Sequence, residues 1–269
     1  MTGRKFRLDR QLVDLGLVET RSKAQGLLLA GKIQVNGRRQ TKAGLLVSDT
    51  DEITVVGPRL PFVSRGGLKL QAALDRFGVR AEGWNVVDVG ASTGGFTDCW
   101  LQYGASQVYA VDVGYGQLAW KLRSDPRVIV RERLNARWLT LEQLSRHEVL
   151  DGASIDASFI GAALLLGPLT SMISNLGAVI VLVKPQFEAG PENLGKHGVV
   201  RDPEIHRMVL ARFLQSAQNL GYAVQGLMPS PVRGPEGNIE FLVYLSLGGA
   251  SQEIMIDAVV KEAWQEEWE

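Results

Sequence analysis

Residues 86–98, Val-Val-Asp-Val-Gly-Ala-Ser-Thr-Gly-Gly-Phe-Thr-Asp, carry the grouping best suited to hold a small molecule. Val86, Val87 and Val89 supply β-branched bulk for a central strand, and Gly90, Gly94 and Gly95 permit a tight loop before a helix begins. Such a loop brings backbone amides up to a ligand, and the helix end favours an anionic one. The candidate binding set is Gly90, Ser92, Thr93, Gly94, Gly95 and Phe96, with Asp88 on the strand before them. Asp88 either meets the amino-acid end of a cofactor or fixes the loop amides, and both roles keep it in the site. The spacing Gly-x-x-x-Gly-Gly departs from the Gly-x-Gly-x-x-Gly that cradles a pyrophosphate. It suits a nucleotide-like ligand with a single carboxylate, and S-adenosylmethionine has one.

Asp112 closes the strand Val108-Tyr109-Ala110-Val111, where an acid meets ribose hydroxyls; the competing role is a cap on the turn at Gly114. Asn135 can reach the adenine side of the same crevice or form a local Asx turn. Asp156 follows Ala153-Ser154-Ile155, and Lys184 follows six apolar residues and precedes Pro185, so both belong at the carboxyl ends of strands. A lysine in that setting is poorly placed for a solvated role, and burial opposite a carboxylate beside an active crevice explains it. Glu240 begins the last strand and Lys69 lies on the helix before the first; each alone is equally a salt-bridge or surface residue. Cys99, the only cysteine, reads as a small buried residue, and no metal site is expected.

The elements that must position these residues follow from the pattern of the chain. With 269 residues, 45% hydrophobic, there is room for one large domain and one small one. No apolar run approaches a membrane span and no signal core follows the basic start, so a cytoplasmic protein is the default. Net charge is zero, yet residues 1–65 carry 12 Lys or Arg against 6 Asp or Glu, while the remainder has 17 against 23. That asymmetry points to a basic module for a polyanion joined to a neutral or acidic domain.

Within the basic part, Leu8, Leu12, Leu15 and Leu17 predict a helix over 7–17 with Gly16 near its end. Thr20 can cap a second helix over 21–30, stopped by Gly31, before Ile33 and Val35 alternate into an Asn36-Gly37 hairpin turn and a strand at 53–56. Pro58 and Pro61 mark a linker, giving domains 1–61 and 62–269. A helix over 68–77 stopped by Gly78 then leads into strands at 85–89, 107–111, 127–130, 151–155, 178–183, 222–228 and 239–247. The expected fold is α/β: a Rossmann-like, mostly parallel sheet preceded by a small α+β domain. The last two strands are joined by a loop too short for a helix, which makes the final strand antiparallel. The segment with Ile254, Met255, Ala258, Val259 and Trp264 lacks the cationic face of a lipid-binding helix and reads as a packing helix.

The stretch RLDRQLVDLGLVETRSKAQGLLLAGKIQVNG, within residues 4–60, resembles the S4-type RNA-binding module. In such a module the second helix and following loop face RNA phosphates, which implies roles for Arg21, Ser22, Lys23 and Lys32. Arg4, Arg7, Arg10, Arg38 and Arg39 complete the basic candidates; the alternative is a small domain that only packs on its neighbour. Across the whole chain, DVGASTGGFTD, VYAVDVGYGQL, SFI, LVKPQFEAG, GVVRDP and GNIEF resemble the TlyA family. That family joins an S4-type module to an FtsJ-type methyltransferase domain and methylates cytidine ribose 2′-hydroxyls in ribosomal RNA. The resemblance implies S-adenosylmethionine as cofactor, ribosomal RNA as partner, and a Lys-Asp-Lys-Glu tetrad at Lys69, Asp156, Lys184 and Glu240. Lys184 would then orient the hydroxyl and stabilise developing charge, and burial beside Lys69 would let it also accept the proton. Three rivals are a nicotinamide dehydrogenase, disfavoured by the glycine spacing, a non-catalytic RNA-binding or ribosome-assembly factor, and a membrane-lytic protein, suggested by haemolysin labels in the family.

Overall fold

Contacts divide the chain into two units, 1–60 and 61–269. The computed structural model describes residues 5–15, 17–18, 21–56 and 60–265, without the side chains of Lys23 and Pro235. The roles expected of Arg4, Gly16, Thr20 and Pro58 fall outside the described residues.

In the first unit a short strand β1 (Lys5–Arg7) leads into α1 (Leu8–Asp14) and then α2 (Arg21–Leu29). Leu8 and Leu12 on α1 meet Ala24 and Leu28 on α2, all without solvent exposure, because apolar residues four apart share one helix face. Four strands follow: β2 (Ile33–Val35), β3 (Arg38–Gln40), β4 (Leu46–Ser48) and β5 (Ile53–Val55). Asn36 and Gly37 both take positive φ, the conformation a two-residue hairpin turn requires, and set β2 against β3. β2 lies between β3 and β5, and β1 pairs with β4, a two-stranded sheet that the sequence pattern does not announce.

The second unit begins with α3 (Gly66–Phe77), which Gly78 ends in the left-handed conformation. Its remaining elements are β6 (Asn85–Val89), α4 (Gly95–Gln102), β7 (Gln107–Asp112), α5 (Trp120–Arg123), β8 (Val128–Glu132), β9 (Leu150–Ile155), α6 (Ala163–Leu169) and β10 (Ile173–Val183). After these come α7 (Pro185–Glu188), α8 (Pro203–Asn219), β11 (Tyr222–Pro229), β12 (Phe241–Leu247) and α9 (Ile256–Gln265). They build a seven-stranded sheet in the order β11-β12-β10-β9-β6-β7-β8. The neighbours from β10 to β8 pair in parallel, and β12 runs antiparallel to both β10 and β11, as the short connection before it requires.

Both faces of the sheet are buried, so its strands are apolar nearly throughout. Val87, Val89, Val111, Ile155 and Val181 face a layer containing α6, α8 and α9, while Val86, Val108, Ala110 and Ile180 face α3 and α4. Cys99 is buried on α4, and Val260 and Ala263 seat α9 as a packing helix.

Candidate active site

β6, β7, β9 and β10 end at one edge of the sheet, and the glycine loop opens there. Gly90 has φ +84°, and a Cβ on it would lie 2.5 Å from the carbonyl oxygen of Asp156. Gly94 has φ +97°, where a Cβ would overlap the side chains of Leu118 and Leu122. A side chain is therefore excluded twice over at these positions, by backbone conformation and by close neighbours. Two cavities adjoin across Gly90, Ser92 and Asp156. One, of about 260 Å³, is bordered by Ser64, Arg65, Lys69, Thr93, Gly95, Phe96 and Arg233. The other, of about 360 Å³, is largely apolar, with Val111, Leu134, Ile160 and Leu165 beside Asp112 and Asn135.

Asp112 caps the turn at Gly114 and also borders the apolar cavity. Its carboxylate accepts the amides of Ser92 and Gly114, each at 2.7 Å. Each oxygen retains a second lone pair for a hydroxyl. Asn135 likewise borders the cavity and closes an Asx turn, accepting the Arg137 amide at 3.0 Å.

Asp88 is not among the residues bordering either cavity; its carboxylate receives the hydroxyls of Thr97 and Ser154 and the backbone amide of Thr97, in the first turn after the loop. Alternation along β6 turns it to the α4 side, where Thr97 Oγ1 donates at 2.6 Å and Ser154 Oγ at 2.8 Å. Trp100 Nε1 donates to the same serine at 2.9 Å. Complete burial pushes the Asp88 carboxyl up to about 6, the two hydroxyls opposing and the Asp156 charge adding to the rise. The folded protein thus binds a proton here more readily than the unfolded chain. The resulting stability is present below about pH 4 and lost as pH rises through about 6. Lowering the pH from about 7 to about 5 should therefore raise the melting temperature of the protein relative to Asp88→Asn, and parallel curves for the two would count against this account.

Four groups expected to react stand as two ion pairs. Lys69, from α3, places Nζ 2.5 Å from Oε2 of Glu240, the residue before β12. Lys184, after β10, places Nζ 2.6 Å from Oδ1 of Asp156, after β9. Its hydrogen bond runs to Ser158 Oγ at 3.0 Å, and Asp156 Oδ1 accepts no aligned hydrogen bond among the described residues. Lys69, Lys184 and Glu240 are buried, and charges so placed persist only when paired. The pairs meet at the polar cavity, which both Lys69 and Asp156 border.

Several residues of this neighbourhood carry no expectation from sequence: Ser64, Arg65, Arg233, Gly234, Ser158 and Gln186. Ser64 and Arg65 immediately precede the two glycines, Gly66 and Gly67, that open α3, and that Ser-Arg-Gly-Gly run was the available signal.

In the first unit, Asp9 is wholly buried and gathers arginines. Arg7 donates through Nε and Nη2, both at 3.1 Å, Arg21 Nη2 donates at 2.8 Å, and Gln25 reaches it at 3.4 Å. The Arg7 hydrogen bond, above all, holds the Asp9 carboxyl well below the usual range. Arg7 and Arg21 remain half exposed, Arg10 pairs with Asp14 at 3.4 Å, and Ser22, Lys32, Arg38 and Arg39 are exposed.

A parallel sheet with one antiparallel strand wedged near its edge, a glycine loop and a nucleoside-sized apolar cavity define a Rossmann-like methyltransferase. Residues 62–247 match the FtsJ-like methyltransferase family and residues 6–53 the S4 domain. The chain is 44% identical to the 16S/23S rRNA (cytidine-2′-O)-methyltransferase TlyA of Mycobacterium tuberculosis, over 90% of each chain. It is 39% identical to Hemolysin A of Brachyspira hyodysenteriae, over 89% of this chain and 99% of that one. A solved structure from Streptococcus thermophilus, described as a candidate hemolysin, superposes with a TM-score of 0.77 at 43% identity, covering 98% and 97% of the two chains. The chain belongs to the TlyA family.

Proposed function

We propose that this protein transfers the methyl group of S-adenosylmethionine to cytidine ribose 2′-hydroxyls of ribosomal RNA, residues 1–61 gripping the RNA and residues 62–269 performing the transfer. The observation that carries this reading is the meeting of two lysine–carboxylate pairs at the cavity edge shared by Gly90, Ser92 and Asp156.

The residues fit the cofactor in two parts. The apolar cavity, with Asp112 toward the ribose and Asn135 toward the base, has the character of an adenosine site. The polar cavity, with Ser64, Thr93 and the loop of Gly94, Gly95 and Phe96, suits the charged amino-acid end. S-adenosylmethionine supplies a sulfonium methyl already activated for attack, so positioning the acceptor is the larger task. Lys184, held between Asp156 and Ser158, orients the 2′-hydroxyl and offsets the negative charge that grows on its oxygen. Asp156, at the border of the polar cavity, holds that lysine in place. Lys69, fixed by Glu240, keeps a second positive charge beside the polar cavity.

On the first unit, Arg7, Arg10, Arg21, Ser22, Lys32, Arg38 and Arg39 form the RNA-facing set, together with Arg4 and Lys23. Their contacts to phosphate would supply affinity and little sequence discrimination. Such an enzyme works in the cytoplasm, where ribosomal RNA is found. Mapping ribose methylation in ribosomal RNA from cells with and without the protein tests the proposal. Gain of a methyl at cytidine is expected, and identical maps would overturn it.

A further inference from the structure

We propose that Gln186 is a positioning residue for methyl transfer, setting the Glu240 carboxylate that in turn holds Lys69; this rests on reading the two ion pairs as the reaction centre. Gln186 lies on α7, two residues beyond Lys184, and is 9% exposed. Its Nε2 donates to Glu240 Oε1 at 3.1 Å, while Lys69 Nζ holds the other oxygen, Oε2, at 2.5 Å. Glu240 is 1% exposed, so its two oxygens depend on these neighbours for the hydrogen bonds that water would otherwise provide.

The chemistry of the pairing is selective. A second cation on Oε1 would compete with Lys69 for the carboxylate, and an apolar side chain would leave that oxygen buried and unpaired. A neutral amide donor satisfies the oxygen without altering the charge balance of the pair. Gly234 completes the arrangement, for a Cβ at that position would overlap the Glu240 carboxylate. The carboxylate is thus confined from three directions, by α3, α7 and the loop before β12.

Gln186 also bears a cost of its own. Its Oε1 is buried and accepts no hydrogen bond among the described residues. A methionine would fill the same space with no orphaned polar atom but would offer no donor to Glu240 Oε1. α7 therefore contributes to both pairs: its N-cap residue is Lys184, and its second residue steadies Glu240. A shift of this short helix would disturb both lysines together.

The test is Gln186→Met in the full chain, read in two ways. With ribosomal subunits as acceptor, kcat should fall about 10- to 100-fold, the size expected for losing a hydrogen bond to a buried charge, with KM for S-adenosylmethionine and melting temperature little changed. In protein labelled with ¹⁵N-lysine, the protected ammonium signal of Lys69, assigned by its loss in Lys69→Arg, should broaden or vanish. Gln186→Glu keeps the shape but sets a carboxylate against Glu240, and should lose more activity than the methionine variant. An unchanged Lys69 signal in a folded Gln186→Met protein, or unchanged kcat, overturns the inference. The signal is read without substrate, so a protein that methylates nothing would defeat the proposed reaction while the positioning role is still decided.

Discussion

Lys184→Ala should lower methyl transfer to ribosomal RNA by about 10³-fold or more while changing S-adenosylmethionine affinity by less than about threefold. The two effects separate because Lys184 is not among the residues bordering either cavity proposed for the cofactor, while its ammonium, held by Asp156 and Ser158, serves the acceptor hydroxyl. Removing it leaves the Gly90 loop and the amides capped by Asp112 in place. It also leaves Asp156 without its counter-charge, which repels rather than steadies a hydroxyl that is losing its proton. Isothermal titration with the cofactor and single-turnover methylation measure the two quantities. Full activity in a folded Lys184→Ala protein would remove this lysine from the mechanism.

The second large effect concerns RNA. A combined Arg21→Ala, Lys32→Ala, Arg38→Ala and Arg39→Ala variant should weaken ribosomal RNA binding on the order of 10²-fold near about 100 mM salt, and make the slope of log affinity against log salt shallower by about three. The slope is the sharper measurement, because each lost phosphate contact removes a fixed number of released counterions. The first unit should survive these changes. Asp9 retains its two hydrogen bonds from Arg7, and the core of Leu8, Leu12, Ala24, Leu28 and Ile33 is untouched. If the module merely packs against its neighbour, neither affinity nor slope will move.

The large elements were legible because their signals are local. The β-branched runs at 85–89 and 178–183, and the glycines that end helices at Gly31 and Gly78, record their own conformations. The strand pair β1 and β4 left no such trace, since three residues carry too little alternation to distinguish a strand from a loop. In the site, Asp112 and Asn135 could be placed at the cavity but not assigned one role, and each in fact holds a turn while facing it. For Asp88 the chain says only that it precedes the loop, whereas the groups its carboxylate meets depend on which face of β6 the alternation gives it. Gln186 and Ser158 were silent for a related reason: a neutral side chain announces no chemistry until the charge it supports is seen beside it.

The wedged position of β12 has a consequence for timing. Glu240 immediately precedes this strand and pairs with a lysine 171 residues earlier, and β12 enters the sheet between β10 and the more recently made β11. A growing chain that has reached β11 already contains Lys69, Asp156 and Lys184, but Lys69 lacks Glu240 and β10, paired with β9, has no neighbour on its β11 side. The two ion pairs are therefore complete only once β12 has followed β11 into the sheet.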